Sequence, residues 1–168
     1  MKKKILLFDL DGVCAAFIEK LYEMFPHIKN MPQGKEREEE IDNVCSTYGN
    51  HIFLNLDPIP GTITAVKILN KEYEIYFCST PMQLVPESWT DKFLWINKLF
   101  GDIAYKKLIL THNKGLIIGD YLIDDRIANG VENFIGEHIH FGYNNTKNWK
   151  EVLLYLSKKD NWNLLSHL

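Results

Sequence analysis

The feature that most constrains this 168-residue chain is a short apolar run near its start that ends at two carboxylates and a glycine. Ile5–Phe8 contains no polar residue, a pattern typical of a strand buried on both faces in a parallel sheet. Asp9, Asp11 and Gly12 follow, and glycine permits a turn where a side chain would crowd a ligand. Since ligands of open α/β sheets bind at the carboxyl ends of strands, we predict that both acids lie at a functional edge. Taken alone, the motif could also be a polar turn without a function.

Composition and charge narrow the class of protein. Hydrophobic residues make up 46% of the chain and charged residues 24%, which fits one globular domain with a small elaboration. The net charge of −3 disfavours a nucleic-acid partner, because a phosphate backbone requires a basic surface. We expect no membrane span, since no apolar run approaches about 18 residues, and the first apolar run is too short for a signal peptide. Three cysteines without a CxxC pair predict neither a disulfide framework nor a zinc site, and favour a cytoplasmic location.

Hydrophobic periodicity predicts that strands alternate with helices. The predicted strands span residues 5–8, 74–78, 107–110, 120–124 and 137–141, and the predicted helices of the core span 62–71, 86–100 and 145–156. In the last strand, which we expect at the sheet edge, His138 and His140 are predicted to face outward. The residues after Lys158 are interpreted as a tail that Trp162, Leu164 and Leu165 could dock. Strand–helix alternation implies an α/β fold with a doubly wound parallel sheet, whose strand ends lie along one edge.

The stretch between the first strand and the motif at residues 58–61 is interpreted as an insertion. Apolar residues at helical spacing predict a helix from 17 to 25 that Pro26 closes. A charged run predicts a second helix over 35–46, while residues 49–57 have no clear pattern. We therefore expect residues 15–59 to form a small helical cap, and residues 1–14 and 60–168 to form a Rossmann-like core.

Polar side chains follow three further predicted strands. Ser79 and Thr80 follow the second, Lys114 follows the third, and Asp124 and Asp125 end the fourth. Each could be a solvated turn residue by itself. Together they form a chemically coherent set, because carboxylates from two strands can hold Mg²⁺ and a hydroxyl and an ammonium group can bind phosphate oxygens. One carboxylate would then be free to attack phosphorus.

As an ordered set, these motifs resemble those of the haloacid dehalogenase-like phosphohydrolases, and most closely the 5′(3′)-deoxyribonucleotidases. The resemblance rests on DLDGV at residues 9–13, LDPIPG at 56–61, STP at 79–81, Lys114, and LIDDR at 122–126. It covers most of residues 5–129 and is weak in the cap. The chain departs from the family pattern at Cys14-Ala15-Ala16 and at His112-Asn113, which leaves base and sugar preference open.

The resemblance implies a role for each candidate residue. Asp9 would be the nucleophile and a metal ligand, and Asp11 the general acid and base, whose backbone carbonyl also binds Mg²⁺. Asp125 would bind the metal directly, and Asp124 would support it without direct contact. Phe17 and Arg126 would line a nucleoside pocket. The residues expected to bind phosphate are Ser79, Thr80, Lys114 and Lys92. The pKa of Asp11 should be raised relative to that of Asp9, because Asp11 must be protonated when the leaving group departs.

The implied function is Mg²⁺-dependent hydrolysis of (deoxy)nucleoside monophosphates through an aspartyl-phosphate. One alternative is a related phosphatase that acts on another small ester, such as a sugar phosphate. Another is a catalytically silent domain that binds a nucleotide as a regulator. The expected partner is a small-molecule nucleotide, with neither nucleic acid nor membrane, and a homodimer is compatible with the sequence.

Overall fold

The computed structural model describes residues 2–48 and 51–167 of the chain. Its sheet has five parallel strands: β1 (Ile5–Phe8), β2 (Glu74–Ser79), β3 (Leu108–Leu110), β4 (Tyr121–Asp124) and β5 (Glu137–His140). Their order across the sheet is β3-β2-β1-β4-β5. The predicted α/β fold with a parallel sheet is confirmed, and the strand with the first acid pair lies at its centre.

Strand β1 is buried on both faces, as its apolar run predicts. Leu6 and Phe8 belong to the larger apolar cluster on one face of the sheet, whereas Leu7 belongs to a smaller cluster on the other face. All three side chains are fully buried. Because successive side chains of a strand point to opposite faces, a polar residue at any of these positions would be buried in an apolar layer.

Six α-helices lie in the described part of the chain. They are α1 (Phe17–Met24), α2 (Pro26–Lys29), α3 (Lys35–Tyr48), α4 (Thr62–Glu72), α5 (Glu87–Phe100) and α6 (Trp149–Lys159). Buried residues of α4, α5 and α6 join the larger cluster, while the smaller cluster includes Val131 of a 3₁₀ turn over Val131–Asn133. None of the helices among the described residues is long and apolar enough to cross a membrane.

The helices α1, α2 and α3 lie between β1 and α4, where the cap is predicted. Leu21, Ile28 and Val44 of these helices belong to the same apolar cluster as the sheet. The chain enters and leaves this segment through paired backbone: Ala16 N–H donates to the Asp57 carbonyl at 2.9 Å, and Ile59 N–H donates to the Cys14 carbonyl at 2.8 Å. Ala15 forms isolated β-bridges with both Asp11 and Pro58, so the two connections lie close to Asp11. The boundaries of the cap, between residues 14 and 15 and between residues 59 and 60, stay a prediction.

Several predicted boundaries differ from the structure. Helix α6 begins at Trp149 rather than at residue 145, because Asn148 caps it by accepting from Glu151 N–H at 3.1 Å. Pro26 ends α1 as predicted but also begins α2, since proline fits the first turn of a helix. The unassigned stretch 49–57 includes residues 49 and 50, which lie outside the described residues, and a 3₁₀ turn over Phe53–Asn55.

The C-terminal tail is docked in part. The Trp162 indole N–H donates to the Tyr73 hydroxyl at 2.9 Å, and Leu164 packs against the larger cluster. Leu165 is 78% exposed, so its predicted docking is wrong. A 3₁₀ turn over Leu164–His167 turns neighbouring side chains in different directions, which explains why these two leucines differ.

Candidate active site

The end of β1 brings Asp9 to the carboxyl edge of the sheet and then turns the chain sharply. Asp9 is only 4% exposed, and its N–H donates to the Ile123 carbonyl at 2.9 Å. Gly12 has a φ of +81°, and a Cβ built on it would lie 2.3 Å from Asp125 Oδ2. Glycine is therefore favoured at this turn, because any other residue would strain the backbone and push against the carboxylate that β4 brings to the same place.

Lys114 forms ion pairs with acids at the ends of two neighbouring strands, β1 and β4. Its Nζ lies 2.7 Å from Asp9 Oδ1 and 2.5 Å from Asp124 Oδ2, and the side chain is buried. Burial by itself would lower the pKa of Lys114, but the two carboxylates outweigh it and the pKa is raised. The lysine therefore stays charged. Its backbone is held by a bond from Lys114 N–H to the Asn129 carbonyl at 2.7 Å.

Asp124 and Asp125 have different surroundings, although they are neighbours in sequence. Asp124 is satisfied at both oxygens, by Lys114 and by Arg126 N–H at 3.0 Å. Asp125 Oδ1 is buried and finds no hydrogen-bond partner among the described residues. Burial, reinforced by the charge of Asp9 and opposed by Arg126, raises the pKa of Asp125 to about 7. A buried carboxylate oxygen without a hydrogen-bond partner, next to other acids, makes Asp125 a candidate ligand for a metal ion.

The donor set fits a hard divalent cation. Asp9, Asp124 and Asp125 each offer one carboxylate oxygen, and these oxygens lie within 4.8 Å of one another. Lys114 contacts two of these three carboxylates, those of Asp9 and Asp124, so a divalent cation would relieve the remaining negative charge. Oxygen ligands are those that Mg²⁺ prefers. Asp125 would bind it directly, while Asp124, whose oxygens are both occupied, would hold Lys114 and the backbone.

A second buried lysine holds Asp11. Lys92 of α5 forms an ion pair with the Asp11 carboxylate, lies 3.2 Å from Ser79 Oγ and sits 4.6 Å from the centre of the Phe53 ring. Burial raises the pKa of Asp11, Lys92 opposes this rise, and the nearby charge of Asp9 adds to it. The direction is the one that a proton donor requires at neutral pH.

The other candidate residues lie around this core of the site. Thr80 Oγ1 is buried and has no hydrogen-bond partner within the described ranges. The Phe17 ring stacks on the Phe53 ring with 5.0 Å between the ring centres, and the Phe53 ring in turn contacts Lys92. Arg126 is exposed, and its charge lowers the pKa values of Asp11 and Asp125. Contact of these three residues with a substrate stays a prediction.

Two histidines next to the acid pair were not predicted as site residues. His138 and His140 alternate with the buried Ile139, as predicted, but they are half-buried. Each Nε2 contacts a backbone carbonyl, of Asp124 at 3.0 Å and of Asp125 at 2.9 Å. Phe53, which lies beneath Lys92, was missed as well. The spacing of the histidines was visible in the sequence, but its meaning depends on the register between β4 and β5.

Comparison with known proteins identifies the family. The model of the "5′ nucleotidase, deoxy (Pyrimidine), cytosolic type C protein" family matches residues 3–166. A protein of Vibrio phage KVP40 is 39% identical over 158 residues, which cover 94% of this chain and 87% of the relative. The human cytosolic-type 5′(3′)-deoxyribonucleotidase is 29% identical over 157 residues, 81% of this chain and 78% of its own length.

Solved structures agree on the fold. The HAD-hydrolase YfnB of Bacillus subtilis, solved with magnesium bound, superposes with a TM-score of 0.58 at 12% identity, covering 93% of this chain and 99% of that one. A haloacid dehalogenase-like hydrolase of Xanthomonas campestris gives 0.54 at 11% identity, with 83% of each chain covered. The family match spans nearly the whole chain, and the chain therefore belongs to the 5′ nucleotidase, deoxy (Pyrimidine), cytosolic type C family.

Proposed function

We propose that the protein is a Mg²⁺-dependent phosphatase of (deoxy)nucleoside monophosphates that reacts through an aspartyl-phosphate on Asp9. The observation that carries this proposal is the buried cluster in which Lys114 contacts both Asp9 and Asp124, with the unpaired carboxylate of Asp125 beside them. The substrate class is supported by relatives, since the human cytosolic protein and a Bacillus subtilis protein that is 29% identical are both named 5′(3′)-deoxyribonucleotidases.

In the first half of the reaction, a carboxylate oxygen of Asp9 attacks phosphorus. The bond from phosphorus to the nucleoside oxygen breaks, and Asp11 donates its proton to that leaving oxygen. Lys114, which contacts Asp9, and the Ser79 hydroxyl, which contacts Lys92, would bind the phosphoryl oxygens. Bound Mg²⁺ supplies positive charge that neutralises these oxygens, the main requirement of phosphoryl transfer.

In the second half, Asp11 acts as a base. It takes a proton from water, whose oxygen attacks phosphorus, and the bond between phosphorus and Asp9 breaks. Inorganic phosphate leaves, and the Asp9 carboxylate and the protonated Asp11 are restored. The Lys92 ammonium group lies against Asp11 and can donate a hydrogen bond to it whether Asp11 is protonated or charged. It would therefore hold Asp11 in place through both halves, which is the positioning that proton transfer requires.

The test is phosphate release from a panel of 5′- and 3′-monophosphates, ribo and deoxy, together with sugar phosphates. We expect release from nucleotides with Mg²⁺ and none with a chelator. Asp9→Asn should abolish release, while Asp102→Asn, the same change at an exposed position, should not. Release from sugar phosphates alone would overturn the substrate class. Nucleotide binding without any release would instead support a silent regulator.

A further inference from the structure

The edge strand β5 donates two side-chain hydrogen bonds to the backbone of the acid pair. His138 Nε2 lies 3.0 Å from the Asp124 carbonyl, and His140 Nε2 lies 2.9 Å from the Asp125 carbonyl. A carbonyl oxygen can only accept, so Nε2 carries the proton in both rings. We propose that His138 and His140 are positioning residues that hold Asp124 and Asp125 for Mg²⁺ binding, and that His140 has the larger effect.

The register of the sheet explains why side chains are needed here. Strands β4 and β5 pair as far as Asp124 and His140, and the last backbone bond runs from Phe141 N–H to the Asp124 carbonyl at 2.9 Å. Asp125 lies one residue beyond this pairing. The imidazole of His140 therefore donates to the Asp125 carbonyl, which lies beyond the last backbone hydrogen bond between β4 and β5.

The two acids depend on these bonds to different degrees. The Asp124 carbonyl already accepts from Phe141 N–H, and its carboxylate is held by Lys114 and by Arg126 N–H. Asp125 Oδ1, in contrast, finds no partner among residues 2–48 and 51–167. The position of that carboxylate follows from its backbone, which His140 holds, and from the close approach of Gly12.

The His140 ring packs against two neighbouring aromatic rings, those of His138 and Tyr143. The ring centres of His138 and His140 lie 5.1 Å apart, and those of His140 and Tyr143 lie 3.9 Å apart. Tyr143 belongs to the turn after β5, which is closed by bonds from Gly142 N–H to the Thr146 carbonyl and from Thr146 N–H to the Tyr143 carbonyl, both at 2.9 Å. The imidazole that holds Asp125 is thus packed between a strand neighbour and a closed turn.

This inference rests on the proposed Mg²⁺ site, and the experiment separates the two. Mg²⁺ affinity is measured by calorimetry on metal-free protein, with the concentration of Mg²⁺ for half-maximal activity and the KM for nucleotide as further readouts. The variants are His140→Phe, which keeps a ring without the donor, His140→Asn, whose amide is too short, and His140→Gln, whose amide nitrogen replaces Nε2. His138→Phe is compared with them, and His27→Phe, at an exposed position, is the matched control.

We expect His140→Phe and His140→Asn to weaken Mg²⁺ binding by about tenfold, as loss of partners behind metal ligands commonly does, with little change in nucleotide KM. His140→Gln should recover most of the affinity, His138→Phe should lose less than His140→Phe, and His27→Phe should bind as the unchanged protein does. Unchanged affinity in folded His140→Phe and His140→Asn would overturn the inference. Failure of His140→Gln to restore binding would also overturn it, because packing would then be the cause.

Asp125→Asn distinguishes failure of the inference from failure of the function. If the unchanged protein binds Mg²⁺ and Asp125→Asn does not, the site stands, and the histidine variants decide the inference alone. If the unchanged protein binds no Mg²⁺, both the proposed function and the inference are overturned.

Discussion

Gly12 and Asp125 approach so closely that the acid motif after β1 and the acid motif at the end of β4 are in direct contact. A Cβ at position 12 would lie 2.3 Å from Asp125 Oδ2, and the backbone there has a φ of +81°. The positive φ disfavours other residues by about 1–2 kcal/mol. In addition, a Cβ at this position would push the Asp125 carboxylate away. The glycine thus constrains the position of the Asp125 carboxylate as well as the turn.

Gly12→Ala should therefore impair Mg²⁺ binding in a protein that still folds. We expect Mg²⁺ affinity to fall by about tenfold or more, in the range found for disturbed metal surroundings, with a lower melting temperature. Gly101→Ala is the control, because that glycine also has a positive φ, of +52°, but its added Cβ would meet nothing within 4 Å. Equal effects of the two changes on Mg²⁺ affinity would show that the contact with Asp125 is unimportant.

Lys92→Met tests the ion pair that holds Asp11. The pKa of Asp11 is raised by burial and held back by Lys92, so removing the lysine charge should raise it further. The proposed reaction requires protonated Asp11 in its first half, so the alkaline limb of kcat/KM should move to higher pH while the maximum falls. Lys98→Met, an exposed change on the same helix, should leave the profile in place. An alkaline limb that stays fixed or moves to lower pH would contradict the assignment.

Asp160 ties the C-terminal helix to the sheet and should make stability depend on pH. Its carboxylate accepts from Tyr73 Oη at 2.7 Å and from Tyr121 Oη at 2.9 Å, and it pairs with Lys4. Burial raises the pKa of Asp160, but these bonds outweigh it and the pKa is lowered. The folded-state pKa is below the unfolded value of about 3.9, so this stabilisation is present above that value and is lost as the pH falls through the folded-state pKa.

Asp160→Asn should lower the free energy of unfolding at neutral pH by about 1–3 kcal/mol, the scale of hydrogen bonds to a charged group. The difference between the variant and the unchanged protein should shrink below about pH 4. Urea unfolding at pH values on either side of this point measures both quantities. A difference of the same size at each pH would rule out the charge of Asp160 as its origin.

The sequence predicts the strand ends well because each is a local pattern. The apolar runs before Asp9 and before Asp124 are short, and each stops at acids, so their place at the carboxyl edge follows from parallel pairing, which the structure has. Lys114 could be placed near them only through the same topology and the family resemblance. The contacts of Lys114 with Asp9 and Asp124 are known only from the structure, because the spacing of these residues along the chain does not determine them.

Long-range register accounts for what the sequence does not reveal. His138 and His140 have the alternation of an exposed edge, and only their alignment with the end of β4 places Nε2 against the carbonyls of the acid pair. Phe53 follows a stretch without periodicity, and its contact with Lys92 joins segments 39 residues apart. Helix α6 begins four residues after its predicted start because Asn148, one of several polar residues before it, caps the helix.

The proposed aspartyl-phosphate can be detected directly as phosphate on Asp9 during turnover. The protein is mixed with a deoxynucleoside monophosphate and Mg²⁺, quenched with acid within a single turnover, digested, and analysed by mass spectrometry. We expect one added phosphoryl group on the peptide that contains Asp9, removed by mild base, and none in Asp9→Asn. Full nucleotide turnover by Asp9→Asn, or turnover by the unchanged protein with no phosphoryl group on that peptide, would contradict it.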